Sequence, residues 1–269
     1  MAQLASKLLR RSFPALSVAG LAVLLSFPTL HGANADEADA KRLLKAMSDY
    51  LTAQQTISFG YDSNLEIVTA DHQKLQLASS GTVDLSRPDK IRAKREGGFA
   101  SVEMIFNGKT LTVVRTDANN YTQVEAPGTL DNLINQLRDK YQRPVPGADL
   151  LLSTAYDVLM EEVVKVDDMG SGVIGGTECD HLAFRSKDID WQIWIAQGEH
   201  PYPCRYVITS KEVDQAPQYS VQVRDWKTGG QVATDHFVFQ NKAGAKKVDL
   251  KELTDIDELP SYIAVGGTK

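Results

Sequence analysis

Cysteine is nearly absent: 269 residues carry two, Cys179 and Cys204. With none before position 179, a lipid-bearing cysteine at the N-terminus is excluded, and two are too few for a disulfide-built scaffold. Histidine occurs five times, without the H-x-x-x-H or H-E-x-x-H spacing of common zinc sites. C-x-x-C and G-x-S-x-G are missing as well, so neither a dithiol redox motif nor a nucleophile elbow is present. Positive charge is in short supply, 29 Lys and Arg against 35 Asp and Glu. An acidic chain of this kind is not built to track nucleic acid or anionic lipid surfaces. No apolar run reaches the ~20 residues that cross a bilayer, so the chain is not expected to span a membrane.

One shorter apolar run is present. "FPALSVAGLAVLLSF" follows Lys7, Arg10 and Arg11, and "ANA" ending at Ala35 places small residues where a signal peptidase reads them. Residues 1–35 are therefore expected to be a cleaved signal peptide. "RRSF" half-matches a twin-arginine signal, but no cofactor motif demands export in the folded state. Cleavage removes three basic and no acidic side chains, so the formal charge falls from −6 to −9. Residues 36–269 suffice for one β-rich domain with a real core.

"DEADAKRLLKAMSDYLTAQQ" reads as a helix over 36–53. Ala40, Leu43, Leu44, Met47, Tyr50 and Leu51 fall on one stripe, with Lys41, Arg42, Lys45 and Asp49 opposite. The period then switches to two. Ile57, Phe59, Tyr61, Leu65 and Ile67 alternate with polar residues, as in an antiparallel strand wet on one side. Further strands follow in "LQLASSGTVDLS" and, after the charged "RPDKIRAKRE", in "GGFASVEMIFNGKTLTVVRTDANNYTQVEAPG", with "NGK" and "DANN" as turns. Two helices come next, 129–142 capped by Thr129 and 148–163 after the breaker "RPVPG". Strands resume in "TECDHLAFRS", "DWQIWIAQ", "CRYVITSK", "YSVQVRDWK" and "TDHFVFQNK". The end of the tail "LPSYIAVGGTK" is expected to be disordered. The order is helix, four or five strands, two helices, five or six strands. Short turns between strands favour antiparallel pairing over a doubly wound sheet.

Gly170, Gly172 and Gly175 spell G-x-G-x-x-G, but the run leads into a strand and not into a helix that would hold a pyrophosphate. It reads as a hairpin turn. Cys179 and His181 lie two apart on one strand face, half of a metal site with no partner ligands. No catalytic constellation emerges, so neither an enzyme activity nor a cofactor is expected. In an exported, oxidising setting a Cys179–Cys204 disulfide is expected, with two free thiols as the alternative. In a three-strand meander the two cysteines would sit two strand spacings apart, roughly 9.6 Å, whereas a bridge needs Cα atoms within about 6.8 Å. The middle strand must stop short, or the rim must curl inward.

In "WQIWIAQGEHPYPCRYVITS", Trp191, Ile193 and Ile195 share one face of a strand and Gln192, Trp194 and Ala196 the other. Apolar groups on both faces leave two readings open: a strand packed on both sides, or the wall of a cavity.

"IGGTECDHLAFRS" and "DWQIWIAQGEHPYPCRYVIT", with the long first strand after an N-terminal helix, resemble a family of predicted periplasmic bacterial proteins of unassigned function. More remotely, Trp194-Ile195 followed by Pro203-Cys204-Arg205 is similar to the LolA/LolB-like lipoprotein-carrier superfamily. That resemblance implies an α+β fold: a strongly curved antiparallel β-sheet or half-open β-barrel with helices packed on its concave side. It implies a single domain over 36–269, with helices 36–53, 129–142 and 148–163 as the lid. It further implies a soluble periplasmic carrier for an apolar ligand, a lipid or lipoprotein acyl chain. Phe59, Met104, Phe106, Leu137, Trp191 and Trp194 are the lining residues that follow. The alternative on the same fold is an interaction or envelope-sensor module that meets a protein partner and has no ligand cavity. Arg92, Arg95 and Arg115 match the superfamily's cavity arginine in rough position only.

Overall fold

The computed structural model describes residues 33–141, 145–257, 259–260, 263 and 265. Of the expected signal peptide, residues 1–32 lie outside the described residues, as do Gln142 of the second expected helix and the tail end 266–269. Ala33–Lys269 forms one compact unit.

The stripe of apolar residues at helical spacing becomes α1 (Ala33–Ala53), which starts three residues before the expected 36. Ala40, Leu44, Met47 and Leu51 are fully buried, while Arg42, Lys45 and Asp49 are exposed. Lys41–Glu37 at 2.6 Å and Lys45–Asp49 at 2.7 Å support the outer side one turn apart. α2 (Leu130–Asp139) is capped as its sequence predicts: the Thr129 hydroxyl accepts the Asn132 N–H.

The third expected helix is broken in two. A 3₁₀ turn covers Ala148–Leu151 and α3 only Ala155–Met160. The break has a side-chain cause. Asp131 of α2 accepts both the backbone N–H and the hydroxyl of Ser153, and Ser48 of α1 accepts the Tyr156 N–H at 3.0 Å. These bonds satisfy the local donors, so a continuous helix through 152–154 gains little.

Eleven strands alternate in antiparallel order: β1 (Thr56–Val68), β2 (Lys74–Ser86), β3 (Lys90–Gly97), β4 (Ser101–Phe106), β5 (Thr110–Arg115), β6 (Asn120–Glu125), then β7 (Lys165–Ile174), β8 (Thr177–Arg185), β9 (Ile189–Ala196), β10 (Pro203–Ser210) and β11 (Gln218–Thr228). A short β12 (Lys246–Lys247) adds in parallel to β6. The spatial order is β12-β6-β5-β4-β3-β2-β1-β11-β10-β9-β8-β7, so the two strand runs join through β1 and β11 and the sheet stays open. Gly175 and Gly176, both at positive φ, make the tight turn between β7 and β8, which confirms the hairpin reading of the glycine run.

Two expectations are corrected. The first run holds six strands, because the charged "KIRAKREG" is a full strand with Ile91 and Ala93 turned to the core. "TDHFVFQNK" is not a strand. It crosses the outer face of the sheet, where Phe237 is buried, Arg92 donates to the His236 carbonyl at 2.9 Å, and the Phe239 ring packs on Tyr121. The segment lies over a sheet face, so no strand edge is available for it to pair with. It lies over the outer face at β2, β3 and β6; α1, α2 and α3 pack on the other face, called the inner face below.

Candidate functional site

The inner face is organised in rows set by strand register. The first row, Ile57–Leu85–Ile91–Phe106–Leu111 across β1 to β5, is buried throughout and forms one core with Leu44, Met47, Leu130 and Leu133 of the helices. Two residues further along each strand the second row runs Phe59–Val83–Ala93–Met104–Val113. It is equally apolar, yet all but Val83 are only half-buried. The third row is Tyr61–Gly81–Arg95–Val102–Arg115. Here the Tyr61 ring lies over Gly81, where a Cβ would come within 2.5 Å of it.

The third row is tied down by the C-terminal segment. Arg115 donates to the Thr254 carbonyl, and Arg95 donates to those of Ile256 at 3.3 Å and Asp257 at 2.7 Å. Val265 then bridges to Thr69, just past the end of β1. An apolar strip therefore lies between helices over row one and a polypeptide strap over row three. Four strand spacings make it roughly 19 Å long.

At the β1 end the strip continues onto β11. The Trp226 ring stacks on Phe59 with centroids 5.5 Å apart, and Tyr202 stacks on Trp226 at 5.1 Å. The indole N–H of Trp226 is buried, with no hydrogen-bond partner among the described residues. A separate recess of about 330 Å³ between α1 and α3 is walled by Lys45, Ser48, Asp49 and Asp157.

The six expected lining residues fall into three groups. Phe59, Met104 and Leu137 are half-buried against the inner-face core, the first two within the strip. Phe106 and Trp191 are buried in the core itself, Trp191 stacked on Phe184 at 3.7 Å. Trp194 is on the outer face: it stacks on His181 at 4.0 Å, and Arg205 lies over its ring. The alternation of "WQIWIA" already separates Trp194 from Trp191, so both cannot line one site. Sequence reasoning missed Ala93, Val113 and Trp226. The last two stand in strands with visible alternation, but pairing them with Phe59 and Met104 requires the strand order.

Cys179 and Cys204 form a small outer-face cluster with Ala196, under Ile174, Trp194 and Tyr202. Both are free thiols in this structure, 0% and 2% exposed; Cys179 donates to the Thr177 carbonyl at 3.4 Å and Cys204 to that of Tyr202 at 3.9 Å. At this rim β10 carries a β-bulge. Pro203 pairs with Ile195 and Arg205 with Trp194, which leaves Cys204 as the extra residue, while β9 ends at Ala196, opposite Cys179. Burial pushes both thiols above their ordinary pKa.

Three solved structures illustrate what the chain is similar to. The Mycobacterium tuberculosis lipoprotein LppX matches at 13% identity and a TM-score of 0.45, covering 73% of this chain and 100% of that one. A chain of the Pseudomonas aeruginosa MucA/MucB complex matches at 14% and 0.45, covering 78% and 63%. A LolA superfamily protein from Nitrosomonas europaea matches at 11% and 0.34, covering 75% and 98%. No curated protein matches the chain. Among the described residues no helix is long and apolar enough to cross a membrane. Residues 40–251 match the model of the family described as "Predicted periplasmic protein (DUF2092)"; the chain belongs to that family, and its location is the periplasm.

Proposed function

We propose that the protein is a periplasmic binding or carrier protein for an apolar chain, a lipid or lipoprotein acyl group, acting by binding and not by catalysis. The observation that carries this reading is the second inner-face row. Phe59, Ala93, Met104 and Val113 are left half-buried between a sealed core and a strap that holds on through main-chain carbonyls. In this reading the sheet is a half-open container with the helices on its concave side. An acyl chain along the strip completes the burial of the row at about 0.8 kcal/mol per methylene. That energy suffices to displace a strap or lid. The spare indole donor of Trp226 suits a carbonyl or carboxylate head at the strip's end.

The test is native mass spectrometry with lipid extraction on protein purified from periplasm without detergent. A stoichiometric lipid adduct that is weakened in Met104→Ala supports the carrier. An unliganded mass that persists after incubation with phospholipid and fatty acid overturns it.

A second reading, a protein-docking module, draws on the other sheet edge. Among the described residues β7 pairs only with β8, and Val164, Met169 and Val173 on or beside it are exposed. Co-purification of a stoichiometric envelope protein in place of lipid would favour it.

A further inference from the structure

The thiol pair lies on the face opposite the apolar strip, yet a continuous stack of rings joins the two. Tyr202 stands two residues before Cys204 in the turn that leads into β10. Its carbonyl accepts the Ala196 N–H at 2.9 Å and the Cys204 S–H at 3.9 Å. Its ring lies within 5° of parallel to Trp226, which stacks in turn on Phe59, the first residue of the strip. Whatever moves Cys204 therefore moves the anchor of Tyr202, and with it the wall at the strip's end.

We propose that Cys179 and Cys204 close into a disulfide that staples β8 to β10 across β9, and that the Tyr202–Trp226–Phe59 stack carries its state to the strip. Only the ligand readout of this proposal rests on the carrier reading above.

The chemistry needs an oxidant with a disulfide of its own, such as oxidised glutathione or a periplasmic dithiol oxidase. One protein thiolate attacks that disulfide and expels a thiolate. The second protein thiolate then attacks the mixed disulfide and expels the other half. The two protein sulfurs give up two electrons and two protons, and the oxidant leaves as two thiols. In the folded chain both sulfurs are enclosed, at 0% and 2% exposure, so an oxidant reaches them before β10 closes on β9. Burial also keeps the folded thiols protonated and therefore unreactive. The redox state is set during folding and then retained. Once the bridge forms, Cys204 has no S–H to offer Tyr202, and its sulfur is drawn toward Cys179.

The experiment refolds the full chain from denaturant in two ways, with oxidised glutathione and with reductant. Mass spectrometry reads the loss of two hydrogens. The Trp226 indole N–H resonance, assigned by its disappearance in Trp226→Phe, reads the stack, and palmitate is the binding probe. Expected are a bridge after oxidative refolding, a displaced Trp226 resonance, and palmitate release changed roughly threefold by the stiffened wall. Cys179→Ser with Cys204→Ser should make both readouts indifferent to the refolding conditions. The wild-type comparison stands whether or not that variant folds. Persistent free thiols after oxidative refolding overturn the proposal, as does a bridged protein whose Trp226 resonance has not moved. If the resonance moves while neither form retains palmitate, the carrier reading falls and the coupling stands.

Discussion

Arg115 and Asp117 grip each other with two parallel bonds at the end of β5, Nε to Oδ1 at 3.0 Å and Nη2 to Oδ2 at 2.7 Å. The arginine is only 8% exposed, and its remaining nitrogen holds the Thr254 carbonyl. The carboxylate therefore fixes the guanidinium that fixes the strap.

That pair sets an acid limit. Its hydrogen bonds to Arg115 hold Asp117 down at a pKa of about 2. A carboxyl depressed on folding contributes stability above its unfolded pKa of ~3.9 and loses that contribution as pH falls through the folded value. Stability should decline from about pH 4 toward pH 2. Asp117→Asn should remove about 1 kcal/mol at neutral pH, a figure reduced for the partial exposure of the carboxylate, and flatten that part of the profile. Urea titrations of both proteins at several pH values between neutral and 2 check this.

The buried stripe of α1 predicts a large cost for one truncation. Leu44 is fully enclosed by the shared core, so Leu44→Ala should destabilise by about 3 kcal/mol through lost transfer energy and a residual cavity. A lower urea midpoint with unchanged slope is the expected signature.

Rows one and two should separate stability from binding. Phe106→Ala empties a buried core position and should cost about 4 kcal/mol. Met104→Ala, one row outward and half-buried, should cost about 1 kcal/mol while weakening retention of an acyl chain roughly tenfold. Paired unfolding and palmitate-release measurements would distinguish this pattern from equal losses in both, which would make row two ordinary core.

Ser48→Ala removes the hydroxyl that accepts the Tyr156 N–H. It should cost about 1 kcal/mol. Amide exchange at Tyr156 should speed up while the interior of α1 keeps its protection.

The helices and most strands were legible because their periods are clean. The Ala40–Leu44–Met47–Leu51 stripe and the alternation from Ile57 to Ile67 translate directly into burial. β3 was less visible, because Lys90, Arg92 and Lys94 mask an alternation whose inward members are Ile91 and Ala93. The break before α3 was hidden for another reason: its cause, Asp131 and Ser48 reaching Ser153 and Tyr156, lies on other helices. The strip was half legible. Phe59 and Met104 stand out as large apolar residues, but that they are neighbours through Val83 and Ala93 is a fact of register. Local alternation fixes which side a residue faces; it does not say which residues meet across five strands.

The junction of β1 with β11 bears on how the chain comes to be folded. Leu65 pairs with Tyr219 and Ile57 with Thr228, so the first strand made has one of its two neighbours among the last. β6 likewise waits for Lys246 and Lys247 before its outer edge is paired. A sheet closed by contacts so distant in sequence pays a large loop entropy before its central ladder forms, which makes folding slow. Until β11 (Gln218–Thr228) is available to pair, one edge of β1 is unguarded, open to capture by a chaperone or by another copy.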